Sequence, residues 1–165
     1  MRNLGSHSAY YIEWLFGRVT KLAGKLRGIT ETCAVDAGVE AWMQLHNGTP
    51  LTLSISADAF QGSGHVIEVY GDSGTLVLSN TTADFVNGFE LLTAGRNDKA
   101  LVQRIAPIVT EVDGRQTSCA KIVTRFIDAI WNKSTVMPSL DDGLRAQTLL
   151  EAIRTSDSTG RWVDV

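Results

Sequence analysis

Hydrophobic and polar positions change their period along this chain. Over residues 6–16, Ala9, Ile12, Leu15 and Phe16 recur at three- and four-residue steps, which predicts a short helix. Ser6 or Ser8 is expected to cap it, and Gly17 to end it. Residues 18–26, with Val19, Leu22 and Leu26, read as a strand, and 27–38 as a polar loop with strand-like Ala34-Val35. Regular alternation follows. Val39, Ala41, Met43 and Leu45 fall on one face of a strand, and Glu40, Trp42, Gln44 and His46 on the other. Asn47-Gly48 signals a hairpin, lengthened by Thr49-Pro50, and Leu51, Leu53, Ile55 and Ala57 alternate on its return. Residues 65–70 and 75–78 form a second hairpin around Gly71-Asp72-Ser73-Gly74, and 85–93 and 101–106 are further strands. Asp113-Gly114 reads as a turn.

The last third returns to helical spacing. Cys119, Ile122, Val123, Phe126, Ile127, Ile130 and Trp131 form an apolar stripe over 117–133. After Pro138 a second helix is expected over 139–152. Asp141 and Asp142 suit its N-terminus, and Leu144, Ala146, Leu149, Leu150 and Ile153 its buried face. Gly160 stops it before a last strand at 161–165. Helices at both ends of a run of hairpins should cover one face of the sheet. The expectation is one α+β domain spanning 1–165: two layers, with an open, mostly antiparallel sheet and helices on one face. The uncovered face carries Trp42 among polar neighbours, which points to self-association, a homo-oligomer through the open sheet face.

Composition narrows the function classes. With 165 residues the chain can bury roughly two thirds of its unfolded surface, so it needs no metal or disulfide to fold. The formal charge of -3 and the absence of a Lys/Arg run argue against a nucleic-acid partner. No stretch has the length and apolarity of a membrane span, and the N-terminus lacks the apolar core of a signal peptide, so a cytoplasmic location is expected. Cys33 and Cys119 are isolated and read as reduced thiols, with Cys119 in the core of its helix. His46 and His65 have no second ligand at metal spacing and read as surface histidines. Gly62-Ser63-Gly64 lies in a hairpin turn with no helix behind it, so it is not a phosphate loop.

Polar chemistry is concentrated at the start. Asn3 and His7 stand four residues apart, so on a helix their side chains share a face. Histidine is the side chain best suited to move a proton near neutral pH. Here a family pattern enters. Asn3-Leu4-Gly5-Ser6-His7 through Trp14-Leu15-Phe16-Gly17 resembles the opening of the C-terminal domain of the Gfo/Idh/MocA oxidoreductases, relatives of glucose-fructose oxidoreductase and inositol dehydrogenase. Gly71-Asp72-Ser73-Gly74-Thr75-Leu76 resembles that family's glycine turn. The segment from Pro138-Ser139-Leu140-Asp141-Asp142-Gly143-Leu144-Arg145-Ala146-Gln147 to Gly160-Arg161-Trp162-Val163 resembles its close.

The resemblance implies a fold like the C-terminal domain of glyceraldehyde-3-phosphate dehydrogenase. It implies the substrate-side and oligomerisation half of an NAD- or NADP-dependent oxidoreductase acting on a sugar, polyol or related hydroxy compound. His7 matches the family histidine and is the expected acid/base. Asn3 stands where the family has aspartate and keeps only the capacity to bind a hydroxyl or orient His7. Tyr10 replaces a second aspartate and, with Arg145, is expected to bind substrate. This chain carries no Gly-x-Gly-x-x-Gly fingerprint and no Glu-Lys-Pro motif, so no cofactor is assigned to it. NAD or NADP is implied for a full-length relative, with a separate Rossmann-domain chain as a further partner. Activity alone is not expected. The alternative is a non-catalytic dimeric scaffold or small-molecule binding module, favoured by the changes at Asn3 and Tyr10.

Overall fold

A computed structural model describes residues 2–28, 36–82, 84, 86–108 and 114–165, without the side chains of 2–4. The elements run α1 (Arg2–Phe16), β1 (Val19–Gly28), β2 (Asp36–Leu45), β3 (Pro50–Ser56), β4 (His65–Gly71), β5 (Gly74–Asn80), β6 (Glu90–Gly95), β7 (Val102–Ile105), α2 (Gly114–Asn132), α3 (Leu140–Thr159) and β8 (Val163–Asp164). The class is α+β. The strands form two four-stranded antiparallel sheets, β3-β2-β1-β8 and β4-β5-β6-β7, where one open sheet was expected. The chain folds as two compact units, Met1–Phe60 with Met137–Val165, and Gln61–Val136.

In the first unit the alternation of β2 and β3 acts as its sequence dictates. Val39, Ala41, Met43 and Leu45 are buried, opposite the half-buried Ile55, Leu53 and Leu51. The helices α1 and α3 supply Ala9, Ile12, Ala146, Leu149, Ala152 and Ile153 to the same core. Burying one such aliphatic side chain contributes about 1.5–3 kcal/mol. The opposite face of this sheet is mostly polar and carries Trp42, which is 64% exposed between Ala23 and Thr52.

Three polar bridges fix α3 on β1. Ser156 is 2% exposed; its hydroxyl accepts from the Gly24 N–H at 2.9 Å and donates to the Arg161 carbonyl at 2.6 Å. A side chain at Gly24 would meet Ile153 Cγ2 at 3.1 Å, so glycine lets helix and strand approach. Asp157 accepts from Lys25 Nζ at 2.7 Å and from the Leu26 N–H at 3.3 Å. The hydrogen bond from Lys25 is the main reason its carboxyl pKa falls below the usual value. The third bridge joins three elements. Arg145 of α3 holds Glu13 of α1 through Nε to both carboxylate oxygens (3.1 and 3.0 Å) and Nη2 to Oε1 (2.9 Å). The same Nη2 donates to the Val19 carbonyl at 2.6 Å, and Glu13 Oε1 accepts the Val19 N–H at 2.9 Å.

Several sequence expectations change. The first helix starts at Arg2, so Ser6 and Ser8 lie inside it. The loop expected over 27–38 is strand at both ends, in β1 and β2; Cys33 and Ala34-Val35 lie outside the described residues. In the second unit β6 starts at Glu90, and polar side chains at Asn80 and Asp84 bind the backbone ahead of it. Asn80, 3% exposed, accepts from the Thr82 N–H and hydroxyl at 2.8 Å each, and Asp84 accepts from the N–H groups of Val86 (2.9 Å) and Asn87 (3.0 Å). Phe85 and Asp113 lie outside the described residues. Helix α2 forms as its spacing predicts, yet Ile122, Phe126, Ile130 and Trp131 are exposed, and so is Cys119. His65 is half-buried against the edge of Phe89, and burial lowers its pKa.

The Glu13–Arg145 bridge has side-chain exposures of only 12% and 17%, so removing one partner strands a largely desolvated charge. Glu13→Ala is expected to lower unfolding free energy by about 3 kcal/mol. Replacing both residues, Glu13→Leu with Arg145→Met, should recover most of that loss in a urea-unfolding double-mutant cycle. A loss in the double variant equal to the sum of the singles would show that the pair is not coupled.

Candidate functional site

The first unit contains an open pocket of about 280 Å³ between α1 and the start of α3. From α1 come Ser6, His7 and Tyr10, at the three- and four-residue spacing that places them on one helical face. The other wall is Pro138, the N-cap Ser139, Asp142, Gly143, Ala146 and Gln147. Ala146 is the buried floor. Gly143 has nothing within 4 Å of where a Cβ would stand, so its missing side chain leaves the wall open.

The α3 wall is built by local sequence. Ser139 accepts the Asp142 N–H on its hydroxyl at 3.2 Å. Asp142 Oδ2 in return accepts the Ser139 N–H at 2.7 Å and the Ser139 hydroxyl at 2.9 Å. This is a reciprocal capping box, satisfying donors that a helix start leaves unpaired. It also fixes a carboxylate at the pocket. The Ser139 N–H, with the Ser139 hydroxyl, favours the ionised form and holds the Asp142 pKa below the usual carboxylate value. Asp142 Oδ1 has no hydrogen-bond partner among the described residues. The side chains of His7, Tyr10 and Gln147 make no hydrogen bond among the described residues either, so their polar atoms are available to a bound molecule. The pocket thus offers an imidazole, a phenol, a primary amide and a carboxylate. That set suits hydrogen bonding to a hydroxylated molecule, with one group able to move a proton.

Two of the four residues expected at the site meet here, His7 and Tyr10. Asn3 lies one turn ahead of His7 in α1, and its side chain is outside the described residues. Arg145 is placed elsewhere. Its guanidinium is engaged by Glu13 and the Val19 carbonyl and does not line the pocket. It sits three residues from Asp142 on α3, and its side chain is held by Glu13 and the Val19 carbonyl. Gln147 was missed as a site residue, although its spacing from Asp142 and Gly143 along one helix supplied the signal. Among the described residues no group of three His, Cys, Asp or Glu side chains is placed to hold a metal. Gly62-Ser63-Gly64 runs into strand β4 and not into a helix, so it does not form the strand–loop–helix cradle of a dinucleotide phosphate site.

The model of the oxidoreductase family's C-terminal alpha/beta domain, GFO_IDH_MocA_C, matches residues 1–165. The chain belongs to the Gfo/Idh/MocA oxidoreductase family. An uncharacterized oxidoreductase of Synechocystis sp. is 29% identical over 180 residues, an alignment covering 98% of this chain and 48% of the relative. Solved structures share the Gfo/Idh/MocA domain fold. Levoglucosan dehydrogenase in complex with NADH and levoglucosan superposes with a TM-score of 0.81 at 21% identity, over 99% of this chain and 49% of that one. An oxidoreductase from Agrobacterium radiobacter in complex with NAD+, L-tartaric acid and magnesium gives 0.79 at 20% identity, over 98% and 48%. Aldose-aldose oxidoreductase from Caulobacter crescentus, complexed with glycerol, gives 0.77 at 14%, over 98% and 46%. The chain therefore spans about half the length of these Gfo/Idh/MocA relatives. Among the described residues no helix is long and apolar enough to cross a membrane.

The capping box yields a pH-dependent prediction. Ser139→Ala is expected to lower stability by about 1 kcal/mol at neutral pH. The folded-state pKa of Asp142 lies below its unfolded value. The stability it adds is therefore full above the ordinary carboxylate range and lost as pH falls through the folded value. Ser139→Ala keeps the residue-139 N–H and should retain the hydroxyl's share of the loss in acid, whereas thermal melts of the wild type and Asp142→Asn should converge there. A difference independent of pH would mean that the Asp142 carboxylate takes no part in the cap.

Proposed function

We propose that this chain is the substrate-side half of an NAD- or NADP-dependent oxidoreductase acting on a sugar, polyol or related hydroxy compound. The observation that carries the reading is the meeting of His7 and Tyr10 in one pocket with Asp142 and Gln147. In this reading His7 accepts the proton of the substrate hydroxyl, or returns it to a carbonyl oxygen in the reverse direction. Tyr10, Gln147 and Asp142 hold neighbouring hydroxyls, and Asn3, one turn ahead of His7, contributes from the start of α1. The sequence carries no Gly-x-Gly-x-x-Gly fingerprint, and in this reading the cofactor is held by sequence of the kind that makes up the other half of the relatives, in the same polypeptide or in a Rossmann-domain partner chain. On this reading the chain alone does not turn over substrate.

The outer face of the first sheet supports self-association. Trp42 is 64% exposed there, flanked by Ala23 and Thr52, with the Glu40–Ser54 pair one position along. A large aromatic ringed by small and polar residues has the composition of an interface centre. No nucleic-acid partner enters the reading.

Two measurements test it. With the dinucleotide-binding half present, nicotinamide reduction should be measured over a panel of sugars and polyols. His7→Ala should lower kcat by about 10²–10⁴-fold with melting temperature unchanged. Wild-type turnover that survives His7→Ala intact would remove His7 from the chemistry. For assembly, light scattering should give a multiple of the chain mass for the wild type and a lower mass for Trp42→Glu; a monomeric wild type ends the oligomer proposal.

A further inference from the structure

The pocket sits at the N-terminus of a twenty-residue helix, where backbone N–H groups and the helix dipole ordinarily favour an anion. Here the protein's own carboxylate takes that position. Asp142 Oδ2 is held by Ser139, the Asp142 N–H is already given to the Ser139 hydroxyl, and Asp141 adds a second negative charge to the same turn. Among the described residues no Lys or Arg lines the pocket to compensate. Arg145, three residues along, is paired with Glu13 of α1 and does not line the pocket. The one lining group able to carry positive charge is the His7 imidazole.

We propose that Asp142 is a specificity-determining residue of this pocket, admitting neutral polyhydroxylated substrates and excluding their phosphorylated or carboxylated counterparts. The inference rests on the pocket being the substrate site. Asp142 Oδ1 offers an acceptor to a neutral hydroxyl, while a phosphate or carboxylate brought to the same place meets a fixed charge of its own sign. One unit charge a few ångströms away in a partly screened pocket changes affinity on the order of ten- to a hundred-fold.

The test is titration of the chain with sorbitol and with sorbitol 6-phosphate, following the His7 ring signals by NMR. It is run at low ionic strength and about pH 8, where an ordinary imidazole is neutral. Three proteins are compared: wild type, Asp142→Asn and Asp142→Glu. Glutamate at this position keeps both the charge and the capping box, so Asp142→Glu separates charge from fold. The wild type and Asp142→Glu should bind sorbitol at least ten-fold more tightly than its phosphate, and Asp142→Asn should reduce that preference ten-fold or more. Equal binding of the two compounds by the wild type, or a preference that survives in Asp142→Asn, overturns the inference and leaves the substrate-site reading standing. No response of His7 to either compound in any of the three overturns both.

Discussion

The Glu13–Arg145 bridge is the constraint on which the first unit depends. It ties the last turn of α1, the second turn of α3 and the first residue of β1 with one carboxylate and one guanidinium. Its bonds also satisfy the Val19 N–H and carbonyl, which lie at a register irregularity where β1 cannot serve them by regular pairing with β2. The bridge is therefore less a source of net stability than a specification of which helix faces which. Together with the burial of Leu149, Ile153 and Ser156, the bidentate geometry fixes one rotation of α3. That rotation turns Asp142, Gly143 and Gln147 to the α1 side and so creates the pocket.

How legible this was in the sequence follows from what each signal encodes. Alternation in 39–46 and 51–57 encodes burial on one face, and the hairpin register came out as the pattern requires, Val39 opposite Ile55 and Met43 opposite Leu51. Spacing also encoded α2 and α3. Where side chains bond locally to the backbone, hydropathy is silent: Asn80 and Asp84 bind the backbone ahead of β6, and apolar residues alone cannot report that. The division into two sheets was equally invisible, since alternation specifies a strand's faces and not which strands are its neighbours.

The site was legible to the same degree and for the same reason. His7 and Tyr10 share a face by arithmetic, and the arithmetic held. Arg145 was assigned by charge and motif, and its true partner lies 132 residues away in sequence, a contact that spacing does not reveal. Ser139 and Asp142 are the opposite case. Their three-residue step is a capping signature, and the same geometry that starts the helix also delivers a carboxylate to the pocket wall. Structural and functional readings of Asp142 are therefore not rivals, because one hydrogen-bond arrangement produces both.

This overlap has a consequence for the chemistry. A carboxylate held ionised beside His7 cannot act as a general acid near neutrality, which leaves the imidazole as the only proton carrier among the described lining groups apart from the weakly acidic phenol of Tyr10. The family pattern places an aspartate one turn before the histidine, and this chain has Asn3 there. Amide and carboxylate differ in charge more than in shape, so the exchange removes one negative charge from the histidine's helix while Asp142 supplies one from α3. A carboxylate on α3 is anchored by its own cap, whereas one in the first turn of α1 would rest on the end of the helix, and anchoring is what lets a single charge select among substrates.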